Sequence, residues 1–317
     1  MTVTVLAGGV GAARFLRGLI RAVPPSEVTA VVNTGDDTVL HGLRISPDLD
    51  TITYTLAEAI DPERGWGLEG ESWRAMEALE RYAAVRPDGS AAAPTWFNLG
   101  DRDLATHFYR TARLREGVGL TAVTDEIGRA WGLELSILPM TDDRFRTVVR
   151  LAESGEEVSF QDYFVRLRHS VPVSGIRFEH AAEPTPAVLR AITSSDVVVI
   201  APSNPLVSIG PIRELAGIDE ALAARRSSVV AVSPIVGGAA LKGPADRMLV
   251  ELGMEASVVE VARLYAPVAG VLVVDTVDAG LADAVEAEGM RCVVAPSIMS
   301  TSEQAEALAH VCLDGVR

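Results

Sequence analysis

Thr2-Val-Thr-Val-Leu-Ala7, Gly8-Gly-Val-Gly11, Ala12 to Val23 and Pro24-Pro25 form the stretch that decides the fold. Thr2 to Ala7 is a β-rich run. The glycines break it, residues 12–23 carry apolar side chains at helical spacing, and the two prolines end that helix. Glu27 to Val32 is a second strand, stopped by Asn33-Thr-Gly-Asp-Asp37. Strand, glycine turn, helix and strand in this order open a doubly wound α/β sheet.

The same alternation returns late in the chain. Asp196 to Ile200, Ser228 to Val232, Val271 to Val274 and Arg291 to Val294 are apolar, β-branched runs with helical stretches between them, and Glu303 to Cys312 closes the chain as a helix. Runs that are apolar on both faces suit parallel strands covered by helices. The middle differs. It reads as helices over Asp50 to Ile60, Glu71 to Val85, Asp101 to Arg115 and Leu120 to Trp131, with a surface loop at Pro87 to Pro94. Leu133 to Leu138 and Arg146 to Leu151 read as strands before the sheet resumes. The expected architecture is α/β: a Rossmann-like, mostly parallel sheet with helices on both faces, built from residues 1–46 and 133–317, with a mainly helical insertion at 47–132.

Composition narrows the function. The 317 residues are 48% hydrophobic and 22% charged, which is globular composition. The net charge of −15 repels phosphate backbones and anionic lipid, so nucleic-acid and membrane-surface roles are set aside. A phosphate ligand would then need a local site of backbone N–H groups, Arg or Lys, or a bridging cation. Cys292 and Cys312 are the only cysteines, too few for a disulfide framework or a Cys-rich zinc site, and they read as buried small hydrophobes in a reducing cytoplasm. No apolar run approaches membrane-spanning length, and the N-terminus lacks the basic segment of a signal peptide.

Several segments carry chemistry. Gly8, Gly9 and Gly11 lie between a strand and a helix, where backbone N–H groups can approach a phosphate. They do not make a dinucleotide fingerprint, since Arg14 stands where a third glycine belongs and the second strand ends in Asn33 rather than an acid. Asp36, Asp37, Asp48 and Asp50, with Asp61 beyond, form a dense set of carboxylates suited to Mg²⁺; for Asp48 and Asp50 the other reading is a helix cap. The turns Asp61-Pro-Glu-Arg-Gly-Trp-Gly67 and Trp96-Phe-Asn-Leu-Gly-Asp-Arg-Asp103 bring aromatics and charges together, as stacking of a flat ligand requires and as ordinary packed loops also show. His107, four residues after Asp103 on an expected helix, reads first as structural. Ala201-Pro-Ser-Asn-Pro205 and Ser233-Pro-Ile-Val-Gly-Gly-Ala-Ala-Leu-Lys-Gly243 follow strands on the ligand side of such a sheet. Gly237 and Gly238 there can offer backbone donors. Lys242 is the one lysine among 28 Lys and Arg residues. Chance retention would explain it, and so would a compact ammonium meeting phosphate where a guanidinium fits poorly.

Together these segments resemble the 2-phospho-L-lactate transferase family of coenzyme F420 biosynthesis. The resemblance rests on GGVGAARFLRGL, VVNTGDD, ISPDLDT, WFNLGDRDLATH, APSNP and SPIVGGAALKGPAD, which run in family order from Gly8 to Asp246. It implies transfer of a phosphorylated three-carbon acid from a guanosine-diphosphate-linked donor to the deazaflavin 7,8-didemethyl-8-hydroxy-5-deazariboflavin, with GMP leaving and Mg²⁺ required. The lysine-poor, Arg- and Ala-rich composition leans toward the actinobacterial branch and its phosphoenolpyruvyl donor, with the phospholactyl donor as the other member of the pair. Carried over by position, Asp50 and Asn98 match deazaflavin contacts. Gly8 to Gly11, Ser203, Asn204 and Gly237 to Gly243 match the guanosine-phosphate side. Asp50 and Lys242 are the expected catalytic residues. Ala13 and Arg14 depart from the family, which often has lysine after the first glycine turn. A cytoplasmic homodimer is expected. The alternative is a nucleotide-sugar-binding regulatory protein on a related core, against which PDLD followed by LGDRD argues.

Overall fold

The strands β1 (Val3–Ala7) and β2 (Val28–Val32) pair in parallel, Val3 beside Val28 and Ala7 beside Val32, and α1 (Gly9–Ala22) makes the crossover. The computed structural model describes residues 1–90 and 92–316; Ala91, within the expected loop at 87–94, lies outside them. A hairpin, β3 (Thr38–Leu40) with β4 (Leu43–Ile45), leads into α2 (Pro47–Leu56). Helices α3 (Arg74–Ala83), α4 (Asp103–Arg115) and α5 (Leu120–Ala130) follow. Then β5 (Ser136–Pro139) joins the sheet beside β2.

Next come β6 (Phe145–Leu151), β7 (Glu157–Ser159) and β8 (Val173–His180), which form a separate antiparallel sheet in the order β7-β6-β8. The main sheet resumes through α6 (Pro186–Ser194), β9 (Val197–Ile200), the short helices α7 (Gly210–Glu214) and α8 (Ile218–Ala223), and β10 (Val229–Val232). A small hairpin, β11 (Ile235–Val236) with β12 (Ala239–Ala240), precedes α9 (Ala245–Glu251) and α10 (Val258–Tyr265). The chain ends with β13 (Val271–Val274), α11 (Ala282–Ala287), β14 (Arg291–Val294) and α12 (Ser302–Asp314).

The main sheet runs β14-β13-β10-β9-β1-β2-β5 with every pairing parallel. Its inner strands are buried on both faces. Val3, Val5 and Ala7 of β1 pack with α1, α2 and α12, and Leu6 packs with α6, α8 and α10 on the other side. Each such aliphatic side chain contributes about 1.5–3 kcal/mol relative to exposure. β1 has β2 on one side and β9 on the other. The chain therefore builds the sheet in one direction, returns, and builds it in the other. The crevice at the carboxyl ends of β1 and β9 is the topological switch point where open α/β sheets bind ligands.

Three expectations change. The first helix starts at Gly9 rather than Ala12, because the glycine turn is itself the helix's first turn. The helix expected to reach Ile60 stops at Leu56. Glu58 takes φ +54°, and Ile60 bridges Leu68 instead. Residues 47–132 are mainly helical, as expected of the insertion, and pack in two ways. Leu49, Ile52, Leu56 and Leu120 join the main core with α1, while Leu40, Ile45, Met76 and Leu99 make only a small cluster of their own. Arg146 to Leu151 is a strand, but its partners are β7 and β8. In β8 the charged Arg177 and Glu179 alternate with Ile176 and Phe178, so it lacks the two-faced apolar run of the main sheet. Among the described residues no helix is long and apolar enough to cross a membrane.

Candidate active site

A cavity of about 870 Å³ opens at the switch point. Its floor is the glycine turn. Gly9 takes φ +70°, and a Cβ on Gly11 would lie 2.3 Å from the carbonyl oxygen of Pro202, so the turn and its close approach to the β9 loop both require glycine. Gly8 is the N-cap of α1 and supplies no side-chain cap. The first amides of a 14-residue helix therefore lie beside the cavity, a setting that favours anions. Ser203 Oγ donates to the Gly8 carbonyl at 2.8 Å and ties the two loops together. The Asn204 side chain caps the next turn, accepting from the Leu206 N–H at 2.9 Å. Gly8, Gly9, Gly11, Ser203 and Asn204 all line the cavity.

The five aspartates separate into distinct environments. Asn33 Nδ2 donates to Asp36 at 3.2 Å and to Asp48 at 3.0 Å, so one amide bridges a buried and a half-buried carboxylate next to the glycine turn. Burial pushes both carboxyl pKa values up, Asp36 well above its usual range with further lift from Asp48 and Asp37. Among the described residues Asp36 Oδ1 has no well-formed hydrogen bond, though the nearby Thr147 hydroxyl draws the carboxyl pKa down somewhat. Burial also lifts Asp37, to about 7, although Ser46 Oγ donates to it at 2.6 Å; it stands behind the cavity wall. Asp61 faces elsewhere. Its carboxylate accepts from the N–H groups of Glu63 and Arg64 and pairs with the Arg64 guanidinium at 2.9 Å, and it is not part of the lining. Asp61 is thus placed apart from the other acids, its negative charge already matched.

Asp50 sits in the first turn of α2, where the fully buried Arg110 of α4 grips both of its oxygens. Burial opposes the charge on Arg110; the Asp50 carboxylate outweighs it and leaves the guanidinium above its usual pKa. One turn earlier on α4, His107 lies 3.7 Å from Asp50 through Nδ1 and 3.1 Å from Asp103 through Nε2. Tyr54 donates to Asp103 at 2.6 Å. Burial works against the Asp103 charge, but His107 and Tyr54 hold the carboxyl below its ordinary range. Neither Asp48 nor Asp50 caps the helix that follows: the N-cap of α2, Ser46, has no side-chain cap bond. Asp48 turns to Asn33 and to the Gly9 amide that opens α1, and Asp50 turns to Arg110.

Two acid sets therefore offer oxygen ligands. Asp50, Asp103 and His107 place ligand atoms within 4.8 Å of one another, but a permanent cation, Arg110, already occupies both oxygens of Asp50. Among the described residues Asp36 and Asp48 have no cationic partner, and Asp48 raises the pKa of Asp36. This is the donor set that fits a hard divalent cation.

Lys242 and Arg14 bring positive charge to the lining. Burial and the neighbouring Arg14 depress the Lys242 pKa. A Cβ on Gly65 would lie 3.2 Å from Lys242 Nζ, so the lysine reaches the 61–67 loop. The glycine pair before it does something other than expected. Gly237 and Gly238 form the tip of the β11–β12 hairpin, both with positive φ, and the Gly237 N–H donates to Asp278 at 2.9 Å. They do not line the cavity, and their role is to turn the chain so that Leu241, Lys242 and Gly243 do. Asn98 lines it with Trp96 and Phe97. The sequence marked Arg14 only as a departure from two motifs, and offered no reason to single out Arg110. Arg110 was legible only as a residue on the helical face of Asp103 and His107, a pattern without meaning until Asp50 is brought against it.

Residues 3–309 match the family model described as 2-phospho-L-lactate transferase CofD. A phosphoenolpyruvate transferase of Streptomyces griseus subsp. griseus is 45% identical over 321 residues, covering 99% of this chain and 98% of that protein. Proteins of the same name from Streptomyces coelicolor and Mycolicibacterium smegmatis are 43% and 41% identical, each over 99% of this chain and 97% and 98% of theirs. A crystal structure of a UPF0052 family protein from Bacillus halodurans shares the fold, with a TM-score of 0.62 at 16% identity over 98% of both chains. The glycine turn, the paired acid sets and the match along nearly the whole length converge: this chain belongs to the 2-phospho-L-lactate transferase CofD family.

Proposed function

We propose that this transferase joins the phosphoenolpyruvyl moiety of a guanosine-diphosphate-linked donor to 7,8-didemethyl-8-hydroxy-5-deazariboflavin, giving dehydro-coenzyme F420-0 and GMP. The observation that carries the reading is the cavity itself, with an anion-binding helix start and two uncompensated acids beside an acid clamped by arginine. The enolpyruvyl donor is preferred over phospholactyl because the actinobacterial relatives carry the name phosphoenolpyruvate transferase.

The terminal ribityl hydroxyl of the acceptor attacks the phosphorus that bears the three-carbon acid. A P–O bond forms there, the P–O bond to GMP breaks in line with it, and the hydroxyl proton is released. Mg²⁺ held by Asp36 and Asp48 would offset the negative charge of the donor diphosphate. The amides of Gly8 to Gly11, with Lys242 and Arg14, hold the phosphate oxygens, which is where preorganised charge lowers such a barrier. Asp50 accepts a hydrogen bond from the attacking hydroxyl and orients it. Arg110 keeps that carboxylate in one rotamer, so orientation, rather than proton removal, is its contribution. Asn98 positions the ring system of the acceptor.

Mass spectrometry of products formed with each donor tests the reading. The enolpyruvyl product should form with Mg²⁺ and vanish in excess chelator. Product only with the lactyl donor, or full activity in chelator, would overturn the corresponding part. A cytoplasmic homodimer completes the proposal, and light scattering on the purified chain checks its mass.

A further inference from the structure

One wall of the cavity has no part in that chemistry. Phe160 and Phe164 stack at 5.5 Å with 15° between their planes, and Phe164 and His169 stack at 5.3 Å and 23°. All three rings line the cavity. Phe160 is the buried end of the stack, packed at 6.2 Å on the fully buried Tyr163. His169 is the open end, half-buried, and no further ring among the described residues stacks on it.

The stack is held rigidly. Gln161 Nε2 donates to the Asp36 carbonyl at 3.2 Å, and the His169 N–H donates to the Tyr163 carbonyl at 2.8 Å. Arg168 and His169 are successive non-glycine residues in the left-handed region, at φ +51° and +41°. The surroundings hold this strained turn, and it sets an imidazole face at the edge of the cavity. Phe160 and Tyr163 share a cluster with Val207 and Met248, and Asn204 Nδ2 lies 3.7 Å from the Met248 sulfur. The stack thus adjoins the loop that lies against the glycine turn.

We propose that the open face of His169, backed by Phe164, is a stacking platform for the fused planar ring of a substrate. The inference rests on the proposed function, in which both substrates carry such a ring: the guanine of the donor and the deazaflavin of the acceptor. Offset stacking of an aromatic ligand on a preformed ladder is sequence-independent chemistry and needs no rearrangement of the protein.

The test uses guanosine diphosphate by calorimetry and the free deazaflavin by fluorescence titration, each with the intact protein. His169→Asn tolerates the left-handed backbone but removes the ring face, and His169→Tyr restores a ring. The expected result is an affinity for one of the two ligands weakened about 5- to 150-fold in His169→Asn and in Phe164→Leu. His169→Tyr should recover most of it, with melting temperatures unchanged. Loss for guanosine diphosphate assigns the platform to the donor base, and loss for the deazaflavin assigns it to the acceptor. Affinities for both ligands within about twofold of wild type, or no recovery in His169→Tyr, would overturn the platform while leaving the proposed function standing. A wild-type protein that binds neither ligand would overturn both.

Discussion

Two acidic regions lie within one cavity and are built on opposite electrostatic plans. Beside the glycine turn, Asp36 and Asp48 share the amide of Asn33 and, among the described residues, meet no cation. On α2, two residues further along, Asp50 is gripped by the buried Arg110 and flanked by His107 and Asp103. In each region one carboxylate is buried, Asp36 or Asp50, and one is half-buried on the cavity lining, Asp48 or Asp103. The difference teaches where charge is complete and where it awaits a ligand. Arg110 has made the Asp50 region self-sufficient, a fixed acceptor of hydrogen bonds. The Asp36–Asp48 region is an acid pair whose ionised state is unfavourable without a counter-ion.

The sharpest way to break this comparison is Arg110→Met. It leaves the Asp50 carboxylate buried without its partner and should destabilise the fold by about 3–5 kcal/mol in denaturant titrations. Adding Asp50→Asn should return part of that loss. A single variant as stable as wild type would mean that Asp50 is not paired in this way.

Lys242→Ala tests the other side of the cavity. It should lower kcat/KM for the donor by roughly 30- to 1000-fold, with Lys242→Arg between it and wild type and deazaflavin binding little changed. Melting curves confirm folding. Wild-type turnover in Lys242→Ala would make the single lysine an accident of composition.

The third test contrasts the regions through pH. A carboxyl whose folded pKa is raised binds more protons in the folded state than in the unfolded, so stability falls as pH rises from its unfolded to its folded value. For Asp37 that window runs from 3.8 to about 7, and Asp36 and Asp48 shift in the same direction. Without metal the protein should lose at least about 2–3 kcal/mol between pH 5 and 8, the share of Asp37 alone at about 1.4 kcal/mol per pH unit. Mg²⁺ should restore stability at pH 8 and do little at pH 5, where protons compete with it. Equal stabilisation by Mg²⁺ at both pH values would place the cation elsewhere.

The smallest effect is expected at Asp61, whose partner Arg64 is close to the surface. Asp61→Asn should change stability by at most about 1 kcal/mol and leave the half-saturating Mg²⁺ concentration where it was. A marked rise in that concentration would bring Asp61 back among the metal ligands.

Much of the fold was legible because its signals are local. Val3 to Ala7, Val197 to Ile200, Val229 to Val232 and Val271 to Val274 are apolar on both faces, and only a covered parallel strand uses such a run. The β7-β6-β8 sheet was less legible, since β8 alternates charge with apolar residues and pairs with β6 across an intervening strand and helical turn. At the site, Gly8 to Gly11, Asp36, Asp48, Asp50, Asn98, Ser203, Asn204 and Lys242 could be named in advance, and the structure gathers them around one cavity. Asp37, Asp61, Gly237 and Gly238 carried the same local signals but lie outside its lining.

The sequence by itself determined the order of the main-sheet strands, the glycine turn after β1, and the family, because hydrophobic period, backbone freedom and motif order are written along the chain. Only the tertiary structure decided which acids are neutralised. Asp50 and Arg110 are far apart in sequence, as are Asp36 and Gln161 or Gly237 and Asp278, and a side chain's charge and hydrogen-bonding state depend on whatever folding brings against it.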